Sequence, residues 1–96
     1  MPYGYVIGQI TVTKPADYPA YVAKVGPIVS QFGGEFLVRG GQHEVHEGPA
    51  PGERVVILRF PSYQKALDWY HSDEYASAKA MRMAASTSIQ TIIEGI

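Results

Sequence analysis

The chain has 96 residues, 46% of them hydrophobic and 18% charged, which suits one small folded domain over residues 1–96 and excludes a disordered chain or a two-domain one. A formal net charge of -1, with no basic cluster, argues against a nucleic-acid partner, because phosphate binding draws on clustered Lys and Arg. The absence of cysteine removes disulfides, thiolate catalysis and zinc–thiolate sites, and it favours a cytoplasmic location over a secreted one.

At the N-terminus no basic patch precedes an apolar run, so no signal peptide is expected. Nor does any apolar stretch reach the ~20 residues of a membrane span. Val6 to Val12 reads as a strand, rich in residues that suit a pleated, half-buried surface. Gly8 interrupts it and marks a bulge or a close approach. From Tyr18 to Phe32 apolar residues recur at spacings of three and four (Tyr18, Tyr21, Val22, Val25, Ile28, Val29, Phe32), which places them on one helical stripe. Pro27 lies inside that pattern and predicts a kink or short break at Gly26-Pro27. Gly33-Gly34 ends the helix.

Glu35 to His43 is read as the second strand, bent at Gly40-Gly41, and the Gly- and Pro-dense Glu47–Gly52 segment as a loop. Arg54 to Phe60 is the clearest strand, closed by Pro61. Ser62 suits the N-cap of a second helix, with Tyr63, Ala66, Leu67 and Tyr70 as its apolar stripe. Ser72-Asp73-Glu74 reads as a second start signal, which splits the helical region into segments near 62–70 and 73–84. Ile89 to Glu94 is the last strand. The order is β-α-β-β-α-β, the ferredoxin-like α+β pattern of a four-stranded antiparallel sheet with helices on one face.

A sheet with one wet face should alternate apolar and polar residues. These strands carry apolar side chains on both faces. In the third strand Val55 and Ile57 oppose Val56, Leu58 and Phe60; in the second, Leu37 opposes Phe36 and Val38; in the last, Ile92 opposes Ile89 and Ile93. A second copy is the simplest cover for the open face, so a homodimer through that face is expected.

Three stretches, Phe36-Leu37-Val38-Arg39-Gly40-Gly41, Val56-Ile57-Leu58-Arg59-Phe60-Pro61-Ser62 and Trp69-Tyr70-His71-Ser72-Asp73-Glu74-Tyr75, together resemble the domain of unknown function 1330 family of the dimeric α/β barrel superfamily. The similarity covers nearly the whole chain. It implies the ferredoxin-like fold and a dimer whose sheets face each other, but no activity. Related members of the superfamily include antibiotic-biosynthesis monooxygenases, haem-degrading enzymes and muconolactone isomerases, which place ligands in a cleft between sheet and helices. Haem-degrading relatives use a helix His, a Trp and a strand Asn. This chain has His71 and Trp69 but Gln9 on its first strand, so a haem role is not carried over.

Candidate chemistry centres on three places. Arg39 follows an apolar run and precedes two glycines, so its guanidinium fork suits a substrate carboxylate. His43 and His46 flank Glu44 and Val45; on a regular strand the two histidines point apart, and neither face gathers the three ligands a metal needs, so no metal is expected. His43 is a candidate acid–base group, since imidazole titrates near neutral pH. Trp69, Tyr70, His71 and Tyr75 cluster where the helical region breaks. Arg39, Trp69, Tyr70 and Tyr75 are therefore the candidate ligand-binding residues, His43 and His71 the candidate catalytic ones, with no cofactor. Two readings compete, ahead of a third, a haem or metal binder, that ranks last. One is a cofactor-independent enzyme or binder of a small organic acid, with Arg39 beside open volume. The other is a non-catalytic dimeric module, with Arg39 locked in an ion pair and no sizeable cavity.

Overall fold

A computed structural model describes residues 2–96. Its elements run β1 (Gly4–Val12), α1 (Tyr18–Gln31), β2 (Glu35–Arg39), β3 (Arg54–Phe60), α2 (Tyr63–Tyr70), α3 (Asp73–Ala85) and β4 (Ser86–Glu94). The strands form one antiparallel sheet in the order β2-β3-β1-β4. This is the ferredoxin-like βαββαβ fold, with the second helical region divided in two. The division follows from two serine caps. Ser62 Oγ accepts from the Lys65 N–H at 3.1 Å, and Ser72 Oγ accepts from the Tyr75 N–H at 3.1 Å while donating to the Trp69 carbonyl at 2.8 Å. Each satisfies a backbone donor that the helix start leaves free.

Three strand boundaries differ from the sequence expectation. β1 starts two residues earlier, at Gly4, and β4 three residues earlier, at Ser86, because the Ser86–Ser88 stretch pairs with Ile10–Val12 of β1. β2 stops at Arg39 rather than His43: Gly40 turns to φ +71° and its N–H donates to the Val55 carbonyl, after which residues 41–53 pair with nothing. α1 runs through Pro27 without the expected break. Pro27 and Ala23, whose carbonyl loses its helical donor, are both exposed, so that oxygen is open to water. In α2 it is Trp69 that joins Ala66 on the buried face, while Tyr63 is exposed.

The core lies between the helices and one sheet face. Val6, Ile10, Leu58 and Phe60 come from the sheet, Val25 and Val29 from α1, and Trp69, Tyr75 and Ala78 from α2 and α3. Trp69 stacks on Tyr75 at 4.2 Å between ring centroids and sits 5.3 Å from Phe60. Burying a side chain of this kind contributes roughly 1.5–3 kcal/mol. The opposite face carries Ile7, Val55, Ile57, Ile89 and Ile93, and the last two are about half exposed, at 52% and 51%. No helix among the described residues is long and apolar enough to cross a membrane.

Candidate functional site

α1 packs its backbone chiefly against α3 and not closely against any strand. Tyr18 and Tyr21 reach from it towards the sheet, and a cleft remains between them. As a cavity the cleft holds about 40 Å³; about 460 Å³ is the space around it when open solvent at the mouth is included. Tyr18, Tyr21, Trp69 and Tyr75 form aromatic walls, with Val6, Ile10 and Leu58 beneath.

A single row crosses the sheet floor. Arg39 of β2 pairs with Val56 of β3, Val56 with Gly8 of β1, and Gly8 with Gln90 of β4, and all four line the cleft. Gly8 keeps that floor low: a Cβ there would stand 3.1 Å from the Gln90 side-chain amide. Arg39 reaches the inner face because β2 carries a bulge. Phe36 pairs with Leu58 and Val38 with Ile57, so one extra residue, Leu37, is inserted between them. Under strict alternation Arg39 would point away from the helices; the bulge turns it back to the face of Phe36, over whose ring the guanidinium lies at 4.0 Å. Val38 accordingly belongs with Ile57 on the outer face, opposite to the expected placement beside Phe36.

Arg39 has no ion-pair partner among the described residues. Among the described residues ion pairs join only Arg59 to Glu35 and His46 to Glu44. Arg54 also lines the cleft without a carboxylate. Its guanidinium fills the space where a Cβ on Gly40 would be and lies 5.9 Å from the Tyr18 ring centroid. Arg54 Nε and Trp69 Nε1 are buried donors without a hydrogen-bond partner. Burial holds the Tyr18 phenol above its ordinary pKa, against the pull of the Arg54 cation. Burial, reinforced by the neighbouring Tyr75, raises that of Tyr21 much further. Both phenols therefore stay neutral at physiological pH and act as hydrogen-bonding walls.

The match of a family model to residues 3–96, nearly the whole chain, decides the family. This chain belongs to the family described as Domain of unknown function (DUF1330). Among solved structures, this DUF1330 chain is similar to the RPA0582 protein of unknown function from Rhodopseudomonas palustris, with a TM-score of 0.79 and 18% identity over 99% of this chain and 83% of that one. It is also similar to SnoaB, a cofactor-independent oxygenase from Streptomyces nogalater (TM-score 0.67, 12% identity, 97% and 92% of the two chains), and to Rv0793 from Mycobacterium tuberculosis (0.57, 16%, 98% and 95%). These likenesses, all under 25% identical, establish a shared fold. No curated protein matches in sequence.

Of the residues singled out in the DUF1330 sequence, Arg39, Trp69 and Tyr75 line this cleft. Tyr70 lines a second one beyond Gln90, its ring 5.9 Å from Trp69 and from Tyr75. The histidines border neither. His43 is exposed in the loop after β2, its Nδ1 3.4 Å from the Gly41 carbonyl oxygen. His71 is exposed at the C-cap of α2, edge-on to Tyr70 at 5.4 Å. His46 and Glu44 lie 3.3 Å apart in solvent, and among the described residues no group of three or more potential ligands could hold a metal. Sequence reasoning passed over Arg54, Tyr18, Tyr21, Gln90 and Arg82. Two signals were available. Arg54 shares parity with Val56, Leu58 and Phe60 and so faces inward, and Arg82 falls on the stripe Tyr75, Ala78, Arg82, Ala85 that α3 buries.

Proposed function

We propose that the chain binds a small organic acid in the cleft between α1 and the sheet, as a cofactor-independent enzyme or as a binder. The observation that carries this reading is the pair of arginines, Arg39 and Arg54, lining an aromatic-walled cleft with no carboxylate on either. Apolar walls with a few placed polar groups typify small-molecule sites. The orphaned Trp69 N–H offers one further donor to an acceptor in the cleft. SnoaB, a cofactor-independent oxygenase, gives a precedent for cofactor-free chemistry on a fold of this kind. On this reading Arg39 anchors the carboxylate, Trp69 and Tyr75 wall the apolar part, and His43 and His71 take no part in holding the acid.

We further propose that residues 1–96 act as one cytoplasmic domain and pair with a second copy through the outer sheet face, where Ile57, Ile89 and Ile93 would be covered. The narrow interior, about 40 Å³, favours a second reading in which the dimer is a non-catalytic module; a dry cavity known to admit benzene is nearer ~150 Å³. Thermal melts against a panel of small carboxylic acids separate the two. A ligand raises apparent stability by mass action. An acid that stabilises the wild type, His43→Ala and His71→Ala but not Arg39→Ala supports the cleft reading. If no acid shifts the wild type while Arg39→Ala itself melts well below it, Arg39 is structural and the module reading stands.

A further inference from the structure

A second cleft, of about 300 Å³, opens beside the C-terminal half of α3 and the edge strand β4, lined by Tyr70, Arg82, Met83, Ser86, Ser88 and Gln90. At its base is Arg82, only 2% exposed. Its Nη1 donates to Ser88 Oγ at 2.7 Å, its Nε to the Tyr75 hydroxyl at 3.4 Å, and its Nη2 to the Tyr70 hydroxyl at 3.5 Å. All three acceptors are hydroxyl oxygens, not carboxylates. No carboxylate pairs with Arg82 among the described residues, and all nine acidic side chains of the protein are exposed. Taking a cation out of water without a counter-ion is unfavourable, and hydroxyl dipoles offset only part of that cost.

The polar groups around the cleft are set to donate. A guanidinium has five N–H groups, so the three bonds above leave some free. Ser88 Oγ accepts from Arg82 and also from Gln90 Nε2 at 3.3 Å, which turns its own O–H elsewhere. The Tyr70 oxygen likewise accepts from Arg82 and keeps its proton to give. Lys79 adds a second cation, its Nζ 4.4 Å from the Tyr70 ring centroid and donating to the Tyr70 carbonyl. A charged fork, two hydroxyl donors and no carboxylate make a surface complementary to an oxyanion. We infer that this cleft binds a small oxyanion, the carboxylate or phosphate group of a small molecule, on Arg82, Ser88 and Tyr70. The inference is independent of the α1 cleft and of Arg39.

The test uses the full chain at low ionic strength. Its thermal midpoint is measured against inorganic phosphate and acetate, each compared with chloride at equal ionic strength. A saturable rise is expected; at about five times Kd a ligand raises the Tm of a domain this size by ~4–8 °C. The stronger of the two anions identifies the group preferred. Ser88→Asp places a carboxylate on the guanidinium, so it is expected to lose the anion response while melting no lower than the wild type. Lys65→Ala, which removes a surface cation outside both clefts, is expected to keep the response in full. If Ser88→Asp does not fold, Ser88→Ala serves instead, and loss of one donor is expected to weaken binding ~5-fold. Absence of any rise over chloride in the wild type overturns the inference. So does an undiminished response in the Ser88 variant, or a response lost with Arg39→Ala and kept in Ser88→Asp.

Discussion

The Tyr75 hydroxyl is the junction of the buried polar network, and its removal gives a measurable prediction. Tyr75 is 1% exposed, its oxygen 2.9 Å from the Tyr21 hydroxyl and 3.4 Å from Arg82 Nε. Tyr75→Phe deletes that oxygen but keeps the ring stacked on Trp69 at 4.2 Å, so packing is held nearly constant. Two buried groups then lose a partner at once. Leaving a buried polar group unsatisfied costs roughly 1–3 kcal/mol, so about 2 kcal/mol is expected. For a domain of about 100 residues that corresponds to a Tm lower by ~8–16 °C. Tyr21→Phe removes only one bond and leaves the Tyr75 hydroxyl on Arg82, so it should cost about 1 kcal/mol.

The double variant discriminates further. With Tyr21 already Phe, no Tyr21 hydroxyl remains for Tyr75→Phe to strand, so the pair should cost less than the sum, by about 0.5–1.5 kcal/mol. Urea denaturation followed by the fluorescence of Trp69, the one tryptophan, reads these differences. Protein concentration is held fixed, because self-association adds to apparent stability. A Tyr75→Phe protein within ~0.3 kcal/mol of wild type, or strictly additive variants, refutes the network as an energetic unit.

Other expectations follow from the same geometry. Burial raises the Tyr21 pKa above that of the unfolded chain, so both states keep the proton below about pH 9 and the unfolded state releases it first above about pH 10. Stability should therefore fall with rising pH in that alkaline window, by up to about 1.4 kcal/mol per pH unit more steeply in wild type than in Tyr21→Phe; equal slopes contradict the buried phenol. Exchanging neighbours in the double variant Val38→Arg/Arg39→Val keeps composition and charge but moves the guanidinium to the outer face. It should abolish stabilisation by an acid held in the α1 cleft as completely as Arg39→Ala does, and a retained response to that acid in calorimetric titration would show that charge alone suffices. Ile57→Asp, at the middle of the apolar outer face, should convert a dimer to a monomer in light scattering at micromolar concentration, and a wild type that is already monomeric there ends the sheet-to-sheet reading.

Sequence legibility followed the reach of the interactions involved. β3 was placed to the residue, because Arg54-Val-Val-Ile-Leu-Arg-Phe is bounded by turn residues and decided by its own composition. The α2/α3 break was legible because serine caps act within one helical turn. The start of β4 was not, since Ser86-Thr87-Ser88 is polar and becomes strand only by pairing with β1. The β2 bulge was hidden for the same reason: a register is a property of two strands, and nothing in Phe36-Leu37-Val38-Arg39 says which residue is left over. The histidine geometry assumed that β2 continued to His43, but the strand stops at Arg39, before the turn at Gly40. At the site, a motif-like neighbourhood drew attention to Arg39. Arg54 and Arg82 look like ordinary strand and helix arginines until parity and helical spacing show that they face inward.

That inward placement explains how a chain of net charge -1 presents positive clefts. The acidic residues are not missing; they are spent at the surface. Glu35 stands opposite Arg59 in the β2–β3 register and neutralises it on the outer face. The other acids lie in exposed loops, at the exposed end of β4 (Glu94) and on exposed helix positions, including Asp73 and Glu74 in the first turn of α3, where the helix dipole favours them. No acid occupies a buried position, whereas Arg82 is fully buried and Arg54 partly so. Water screens the surface acids and barely screens the buried cations. The field inside both clefts is thus set by arginines and hydroxyl donors rather than by net charge, and on the readings proposed above it would favour anions over neutral or cationic molecules of the same shape.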